Sequence, residues 1–213
     1  MRSGSSDPVQ PSGDGPRGPV GPGRVVLIVG PSGSGKDTLL RLLAARSHGL
    51  PGLVFPKRVV TRLASADESN LAMSAVEFDR LAARGGLALT WEAHGLRYGV
   101  PVAIDDAVTS GATVLVNASR SVLGAAKARF THVATVLVDA PIDVLARRLA
   151  GRGREDSDDI GRRLDRNPAG FSRADADLVI INDGPPEAGV AALLRFLATP
   201  YPAAGLGDFT KPR

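Results

Sequence analysis

The sequence contains no cysteine, which excludes disulfide bridges, thiolate zinc sites and thiol nucleophiles. Aromatic residues are also scarce, at 4% of the chain, with one tryptophan and two tyrosines. Because proteins bind single-stranded nucleic acid by stacking bases on aromatic rings, this scarcity argues against a nucleic acid partner despite the net charge of +4. We interpret the excess of positive charge as directed at small phosphates.

Long apolar runs are missing as well. The longest wholly aliphatic stretch, residues 25–29, is far shorter than the roughly 20 residues that cross a bilayer. The N-terminus also lacks the apolar core of a signal peptide. We therefore expect no membrane span and a cytoplasmic location. The sequence does not determine the oligomeric state, and a homodimer is compatible with it.

Proline and glycine divide the chain into a folded part and two tails. Residues 1–23 combine these two residue types with polar ones, a composition that buries too little apolar surface to offset the entropy of ordering. Residues 199–213 have a similar composition. We expect a flexible tail at each end and a single domain over residues 24–198.

Between the tails, short β-branched runs alternate with segments whose apolar residues recur every three or four positions. This alternation predicts an α/β fold of three layers, in which helices cover a mostly parallel central sheet. The expected strands are residues 25–29, 53–60, 88–91, 113–116, 133–138 and 178–181. The expected helices are residues 36–46, 74–84, 142–150 and 186–198.

A glycine-rich loop follows the first of these strands and opens the first helix. It reads Gly-Pro-Ser-Gly-Ser-Gly-Lys and fits the first seven positions of the G-x-x-x-x-G-K-[ST] phosphate loop. Glycines let backbone N–H groups approach phosphate oxygens closely, and the helix N-terminus adds a favourable dipole. A glycine-rich turn with a chance lysine is the alternative, which the strand-loop-helix context disfavours. The predicted ATP-binding residues here are Gly30, Pro31, Ser32, Gly33, Ser34, Gly35, Lys36, Asp37 and Thr38.

The loop departs from the usual motif directly after its lysine. Asp37 stands where a hydroxyl usually binds magnesium, and the hydroxyl of Thr38 comes one position later. Asp37 and Thr38 are our candidates for the Mg²⁺ site, since magnesium is usually held by one or two carboxylates plus substrate phosphates. An acidic residue favoured by the dipole at the helix N-terminus is an equally good explanation of Asp37.

Two groups of arginines are candidates for binding anions. Arg58 and Arg62 lie four residues apart in an extended stretch, so they should share one face of a strand and converge on an anion. Arg148, Arg152 and Arg154 surround glycines and resemble a mobile basic lid that closes over a transferring phosphoryl group. Solvated surface arginines are the alternative in both places.

Five motifs occur in the order typical of guanylate kinase-like P-loop kinases, which this chain resembles over roughly residues 24–195. They are the Gly-Pro-Ser-Gly-Ser-Gly-Lys loop, Val-Thr-Arg at 60–62, Gly-Leu-Arg-Tyr-Gly at 95–99, Arg-Gly-Arg at 152–154 and Ile-Asn-Asp at 181–183. The chain departs from true guanylate kinases at residues 63–72 and 114–120, where those enzymes recognise guanine. At 114–120 it carries an amide, a hydroxyl and a cation instead of carboxylates.

These replacements, with Gly-Lys-Asp-Thr and the segment around His94, make the chain similar to the ribose 1,5-bisphosphate phosphokinases. The resemblance implies an ATP- and Mg²⁺-dependent kinase with a small substrate-binding insertion, acting on a phosphorylated sugar during phosphonate breakdown. It implies that Lys36, Arg148, Arg152 and Arg154 are catalytic and that Asn182 lies at the adenine pocket. The substrate-binding residues would be Arg58, Arg62, Arg97, Tyr98 and Arg120. His94 is a further candidate phosphate donor, although a lone loop histidine is more often structural.

Two alternatives stay open from the sequence. A guanylate kinase or other nucleoside monophosphate kinase would share the loop, the lid and the same chemistry. A guanylate kinase-like binding module that has lost catalysis would share the fold, but the intact lysine and the arginines argue against it.

Overall fold

The computed structural model describes residues 19–47, 52–62, 70–150 and 171–199. Most of both expected tails therefore lies outside the described residues. The first strand begins at Val20, earlier than residue 24, where the sequence analysis starts the domain. Val20 pairs with Phe130, and a register shift separates this pair from the regular pairing that starts at Arg24. Residues 20–23 of the expected N-terminal tail are thus part of the sheet.

A five-stranded parallel sheet forms the centre of the molecule, with the order β2-β7-β1-β8-β9. A second sheet has the order β4-β3-β6-β5, and β6 runs antiparallel to both of its neighbours. The strands are β1 (Val20–Val29), β2 (Leu53–Val54), β3 (Val59–Val60), β4 (Leu71–Ala72), β5 (Leu87–Ala93), β6 (Leu96–Pro101), β7 (Thr113–Asn117), β8 (Phe130–Asp139) and β9 (Leu178–Ile181).

Helices cover both faces of the central sheet, as expected for the predicted three-layer α/β fold. The α-helices in the described ranges are α1 (Lys36–Arg46), α2 (Ala75–Ala83), α3 (Ile104–Thr109), α4 (Leu123–Arg129), α5 (Ile142–Ala150) and α6 (Pro186–Ala198). None of them combines the length and apolar character needed to cross a bilayer.

The burial pattern of β1 shows why the fold has three layers. Val25, Leu27 and Val29 are fully buried in one apolar cluster, which includes side chains of α3, α4, β5 and β6. Val26 and Ile28 point the opposite way into a second cluster with α1 and α6. Because successive side chains of a strand face opposite sides, a strand that is apolar throughout must be covered on both faces.

The expected strand over residues 53–60 is wrong as a single element. Residues 53–54 form β2 at the edge of the central sheet, whereas residues 59–60 form β3 in the second sheet. Pro56 lies between them, and proline lacks the N–H that a continuous ladder would need. The chain therefore leaves one sheet here and enters the other.

The second sheet was only partly predicted, since β5 was expected, whereas β4 and β6 were not among the expected strands. The link between β5 and β6 is a two-residue turn at His94 and Gly95, both with positive φ, 54° and 69°. A two-residue turn with two positive φ angles matches the right-handed twist of the strands on either side of it. The result is a tight hairpin that projects toward the phosphate loop.

Candidate active site

The phosphate loop connects β1 to α1 in a conformation that requires glycine. Gly30 has φ of 147°, and a side chain there would bring Cβ within 1.9 Å of the Val138 carbonyl oxygen. Gly35 has φ of 93°, and its Cβ would lie 2.3 Å from the side-chain nitrogen of Asn182. The loop is therefore pressed against the ends of the neighbouring strands, and larger residues would displace it.

Lys36 is the first residue of α1, and its side chain folds back over the loop. Its Nζ donates to the carbonyl oxygens of Gly30 at 2.9 Å and Pro31 at 2.7 Å. The ammonium group thus sits at the centre of the loop, where a phosphate chain bound by the backbone N–H groups would lie. The contact of Lys36 with the phosphates of ATP stays a prediction.

Asp37 on the first turn of α1 is joined to the end of β7. The Asn117 side-chain nitrogen donates to Asp37 Oδ1 at 2.6 Å, and Arg58 Nη2 lies 3.5 Å from the same oxygen. The Asp37 side chain is 70% exposed, whereas Asn117 is buried. Three separate segments thus meet at one carboxylate beside the phosphate loop.

A cavity of about 520 Å³ opens beside the loop, a volume suited to a small ligand. Three walls enclose it. The loop wall consists of Gly30, Pro31, Ser32, Gly33, Gly35, Lys36 and Asp37. The wall at the end of β7 consists of Asn117, Ala118, Ser119, Arg120 and Ser121. The second-sheet wall consists of Arg58, Arg62, Asn70, Trp91, Glu92, Ala93, His94 and Tyr98.

Arg58 and Arg62 reach the same cavity from either end of β3. The Arg58 guanidinium lies 5.7 Å from the centre of the Tyr98 ring, and that ring stacks on Trp91 at 5.4 Å. Burial lowers the pKa of Arg58, and nearby Arg62 lowers it further, while Asp37 and Tyr98 oppose the change. A guanidinium held in this setting gains from an anionic ligand that offsets its lost hydration.

Arg120 approaches the cavity from the opposite wall. It lies in a short 3₁₀ segment at Arg120–Val122, directly after β7, with its guanidinium 5.3 Å from the centre of the Phe171 ring. Burial lowers the pKa of Arg120, and the carboxylate of Asp139 partly opposes this shift. The cavity thus carries cations on all three walls, as a site for a polyanion requires.

Arg97 is the one described substrate-binding candidate that the structure directs away from the cavity. Its guanidinium pairs with the Asp79 carboxylate, donates to the Ala75 carbonyl and lies over the Phe78 ring, all on α2. This pairing raises the pKa of Arg97 and lowers that of Asp79. Arg97 and Tyr98 are consecutive in β6, so their side chains face opposite sides of the sheet. Tyr98 lines the cavity, and Arg97 points to the other side of the sheet.

His94 occupies the tip of the β5-β6 hairpin and lines the cavity. Its Nε2 lies 3.4 Å from Ser32 Oγ on the phosphate loop. The hairpin of the second sheet therefore touches the loop across the cavity. The predicted donation from His94 to a phosphate has a suitable location and stays a prediction.

Arg148 and Asn182 form a chain of hydrogen bonds that supports the phosphate loop. Arg148 Nη1 donates to the Asn182 carbonyl oxygen at 2.9 Å, and the Asn182 side-chain nitrogen donates to the Ser34 carbonyl oxygen at 2.7 Å. Asn182 is buried and Ser34 is fully buried. The contacts of Asn182 with adenine and of Arg148 with a phosphoryl group stay predictions, and Arg152 and Arg154 lie outside the described residues.

Replacing Asn182 with alanine is expected to weaken the loop that it supports. The change leaves the buried Ser34 carbonyl without this donor, which should lower the free energy of unfolding by about 1–3 kcal/mol. ATP affinity should fall in parallel. Chemical denaturation and calorimetric titration with ATP measure the two effects, with Asp183→Ala, at the exposed neighbouring position, as the control. Wild-type values for both quantities in Asn182→Ala would contradict the supporting role.

Several cavity residues were not predicted as ligands. Asn117 and Ser119 belong to the segment at 114–120 that the sequence singles out, yet only Arg120 was a candidate there. The contact between Asn117 and Asp37 joins residues 80 positions apart, so no local pattern reveals it. Asn70 accepts a hydrogen bond from Arg58 Nε at 3.2 Å and also had no recognisable signal. Thr38, a candidate metal ligand, is not part of the cavity lining.

Comparison with known proteins identifies the family of this chain. A family model described as an AAA domain matches residues 26–167. The ribose 1,5-bisphosphate phosphokinase PhnN of Bradyrhizobium diazoefficiens is 48% identical over 170 residues, covering 80% of this chain and 85% of the relative. The protein of the same name from Rhodopseudomonas palustris is 44% identical over 178 residues, covering 84% and 90%.

A solved structure supports the fold independently. The crystal structure of guanylate kinase from Anaplasma phagocytophilum aligns with a TM-score of 0.59 and 22% identity, covering 82% of this chain and 84% of that one. At this identity the likeness establishes a guanylate kinase-like P-loop fold and nothing about the substrate. The chain belongs to the ribose 1,5-bisphosphate phosphokinase family, built on that fold.

Proposed function

We propose that this chain transfers the γ-phosphoryl group of ATP to the 1-phosphate of ribose 1,5-bisphosphate, forming 5-phosphoribosyl 1-diphosphate and ADP. The observation that carries the proposal is the set of cations around one cavity, where the lysine of the phosphate loop meets three arginines from the other walls. Its relatives carry the name of this activity. The pathway served would be phosphonate breakdown.

The reaction requires no general base. An oxygen of the 1-phosphate attacks the γ-phosphorus, the bond from that phosphorus to the β,γ-bridging oxygen breaks, and ADP departs with the electron pair. A phosphate monoester has a second pKa of about 6, so the attacking oxygen is already unprotonated at neutral pH. The protein must therefore position two polyanions and neutralise their charge, which lysine and arginine do well.

Each group of residues has a distinct task. Lys36 and the loop N–H groups hold the β- and γ-phosphates of ATP, and Arg148, Arg152 and Arg154 would stabilise the phosphoryl group in transfer. The bisphosphate binds between the remaining walls, where Arg58, Arg62, Tyr98 and Arg120 line the cavity. Arg97 has no part in this assignment, because it pairs with α2.

The residues present fit a magnesium ion bound together with ATP. Within the described ranges there is no group of three or more histidine, aspartate or glutamate side chains that could hold a metal unaided. Kinase magnesium sites instead combine one or two carboxylates with phosphates and waters, and Asp37 offers an exposed carboxylate beside the loop. Thr38, also a candidate from the sequence, is half-buried outside the cavity lining. When bound, magnesium would neutralise part of the charge that develops on the phosphates during transfer.

The test is to incubate the purified chain with MgATP and one of three acceptors, and to identify the products by chromatography and mass spectrometry. Ribose 1,5-bisphosphate should give ADP and 5-phosphoribosyl 1-diphosphate. Ribose 5-phosphate, the matched control that lacks the accepting phosphate, should give neither. GMP tests the guanylate kinase alternative, and faster conversion of GMP than of the sugar would overturn the proposal.

A further inference from the structure

This chain has different types of side chain at the two positions that usually bind magnesium in P-loop proteins. In P-loop NTPases the hydroxyl after the loop lysine and an aspartate from a second strand hold the ion. Here the residue after Lys36 is Asp37, a carboxylate, and β7, which pairs in parallel with β1, ends in the amide of Asn117. The loop has gained a carboxylate, and the strand end offers none.

The two side chains are in direct contact. Asn117 is 8% exposed, and its side-chain nitrogen donates to Asp37 Oδ1 at 2.6 Å. Arg58 Nη2 is directed at the same oxygen, at 3.5 Å. Within the described part of the chain, no hydrogen-bond donor or cation engages Asp37 Oδ2. Both supporting groups therefore hold one oxygen and leave the other available at the cavity wall.

We propose that Asp37 supplies the magnesium-binding carboxylate of this enzyme, and that Asn117 is the positioning residue that orients it. The inference rests on the proposed use of MgATP and adds to it the residue that replaces the strand aspartate. A neutral amide suits this place, because a second carboxylate 2.6 Å from Asp37 would repel it. Outer partners of metal ligands orient those ligands, and their loss typically lowers metal affinity by about 10–100-fold.

The contact has a simpler explanation, in which Asp37 is a helix N-terminal acid that Asn117 merely anchors. The two explanations predict different magnesium binding when the carboxylate is moved from residue 37 to residue 117. If the pair serves magnesium, replacing Asp37 with serine and Asn117 with aspartate restores the general P-loop arrangement and recovers magnesium binding. If the pair is only an anchor, the double substitution has no reason to recover it.

The experiment measures the dissociation constant of a non-hydrolysable ATP analogue by calorimetry, with magnesium and with chelator. The ratio of the two constants is the magnesium enhancement. Asp37→Ser and the isosteric Asp37→Asn should each remove most of this enhancement, and Asn117→Ala should lower it by about 10-fold. The double variant Asp37→Ser with Asn117→Asp should return to within about 10-fold of wild type. No acceptor is present, so the outcome does not depend on which sugar the enzyme uses.

Asp106→Asn is the matched control, since it makes the same chemical change at an exposed position on α3. It should keep the wild-type enhancement. Thermal melting identifies any variant that does not fold, and Asp37→Asn, which preserves shape, keeps the test decisive if the serine variant is unstable. An unchanged enhancement in Asp37→Asn would overturn the assignment of Asp37. If the double variant folds but its magnesium enhancement is no higher than that of Asp37→Ser, the proposed role of Asn117 is wrong.

Discussion

Lys36→Ala is expected to lower kcat by about 10²–10³-fold, the usual effect of removing one group that stabilises charge in the transition state. The lysine Nζ lies within hydrogen-bonding distance of two loop carbonyls, at the place where the phosphates of ATP would bind. Steady-state production of ADP with saturating ribose 1,5-bisphosphate measures the change. ATP affinity should fall as well, because the proposed contact of the lysine with the nucleotide forms before transfer.

Lys127→Ala is the control for this substitution, because Lys127 is exposed on α4, away from the cavity. It should leave kcat and the melting temperature unchanged. Lys36→Ala should also keep its secondary structure, since the lysine packs on the loop rather than in the core. A folded Lys36→Ala variant with wild-type kcat would contradict the assignment of the loop.

Arg58→Met should weaken substrate binding and Arg97→Met should not, although both arginines belong to the same sheet region. Loss of the Arg58 guanidinium removes the charged hydrogen bonds proposed to hold the bisphosphate, each contributing about 1.5–3 kcal/mol. The KM for ribose 1,5-bisphosphate should therefore rise by about 10–100-fold, and the KM for MgATP by less. Arg97→Met should leave both KM values unchanged and only weaken the attachment of α2 to β6.

Initial rates at varied acceptor concentration measure this contrast, and thermal melting monitors α2 packing. Arg97→Met should show a small decrease in melting temperature, matching its ion pair with Asp79. An equal rise in KM for the two variants would mean that Arg97 turns into the cavity when the substrate binds. An unchanged KM in Arg58→Met would show that the second-sheet wall is not part of the acceptor site.

The phosphate loop and the central sheet could be predicted because each follows from a strict local requirement. The loop needs glycines at set positions next to a lysine, and buried parallel strands need apolar runs, as in the fully buried segment 25–29. Helix α1 was predicted at its observed bounds, since Leu39 and Leu43 recur four residues apart on its buried face. Family resemblance then gave the substrate class.

The second sheet shows where local patterns were insufficient. Pro56 marks the place where the chain changes sheets, and residues 53–60 had been assigned to one strand despite it. Arg97 and Tyr98 were assigned to the same ligand, although neighbours in a strand face opposite sides. In both places the strand geometry carries information that the motif alone does not.

Other features depend on contacts that no local pattern contains. Asn182 supports the loop at Ser34 from 148 positions away, and Asn117 reaches Asp37 from 80 positions away. Each is a single asparagine at the end of a strand, a residue type equally common in turns. Only the topology, which brings the carboxyl ends of β1, β7 and β9 to one edge, gives these residues a function.

The cavity is proposed to bring two polyanions together so that the phosphoryl group passes to the sugar phosphate and not to water. The most direct measurement uses ATP whose γ-phosphoryl oxygens are enriched in ¹⁸O, with ³¹P NMR of the sugar product. Transfer to the sugar places the label on the terminal phosphorus of the 1-diphosphate, with its three enriched oxygens retained. Label found in inorganic phosphate alone, with an unlabelled sugar, would show that the enzyme hydrolyses ATP without joining the two substrates.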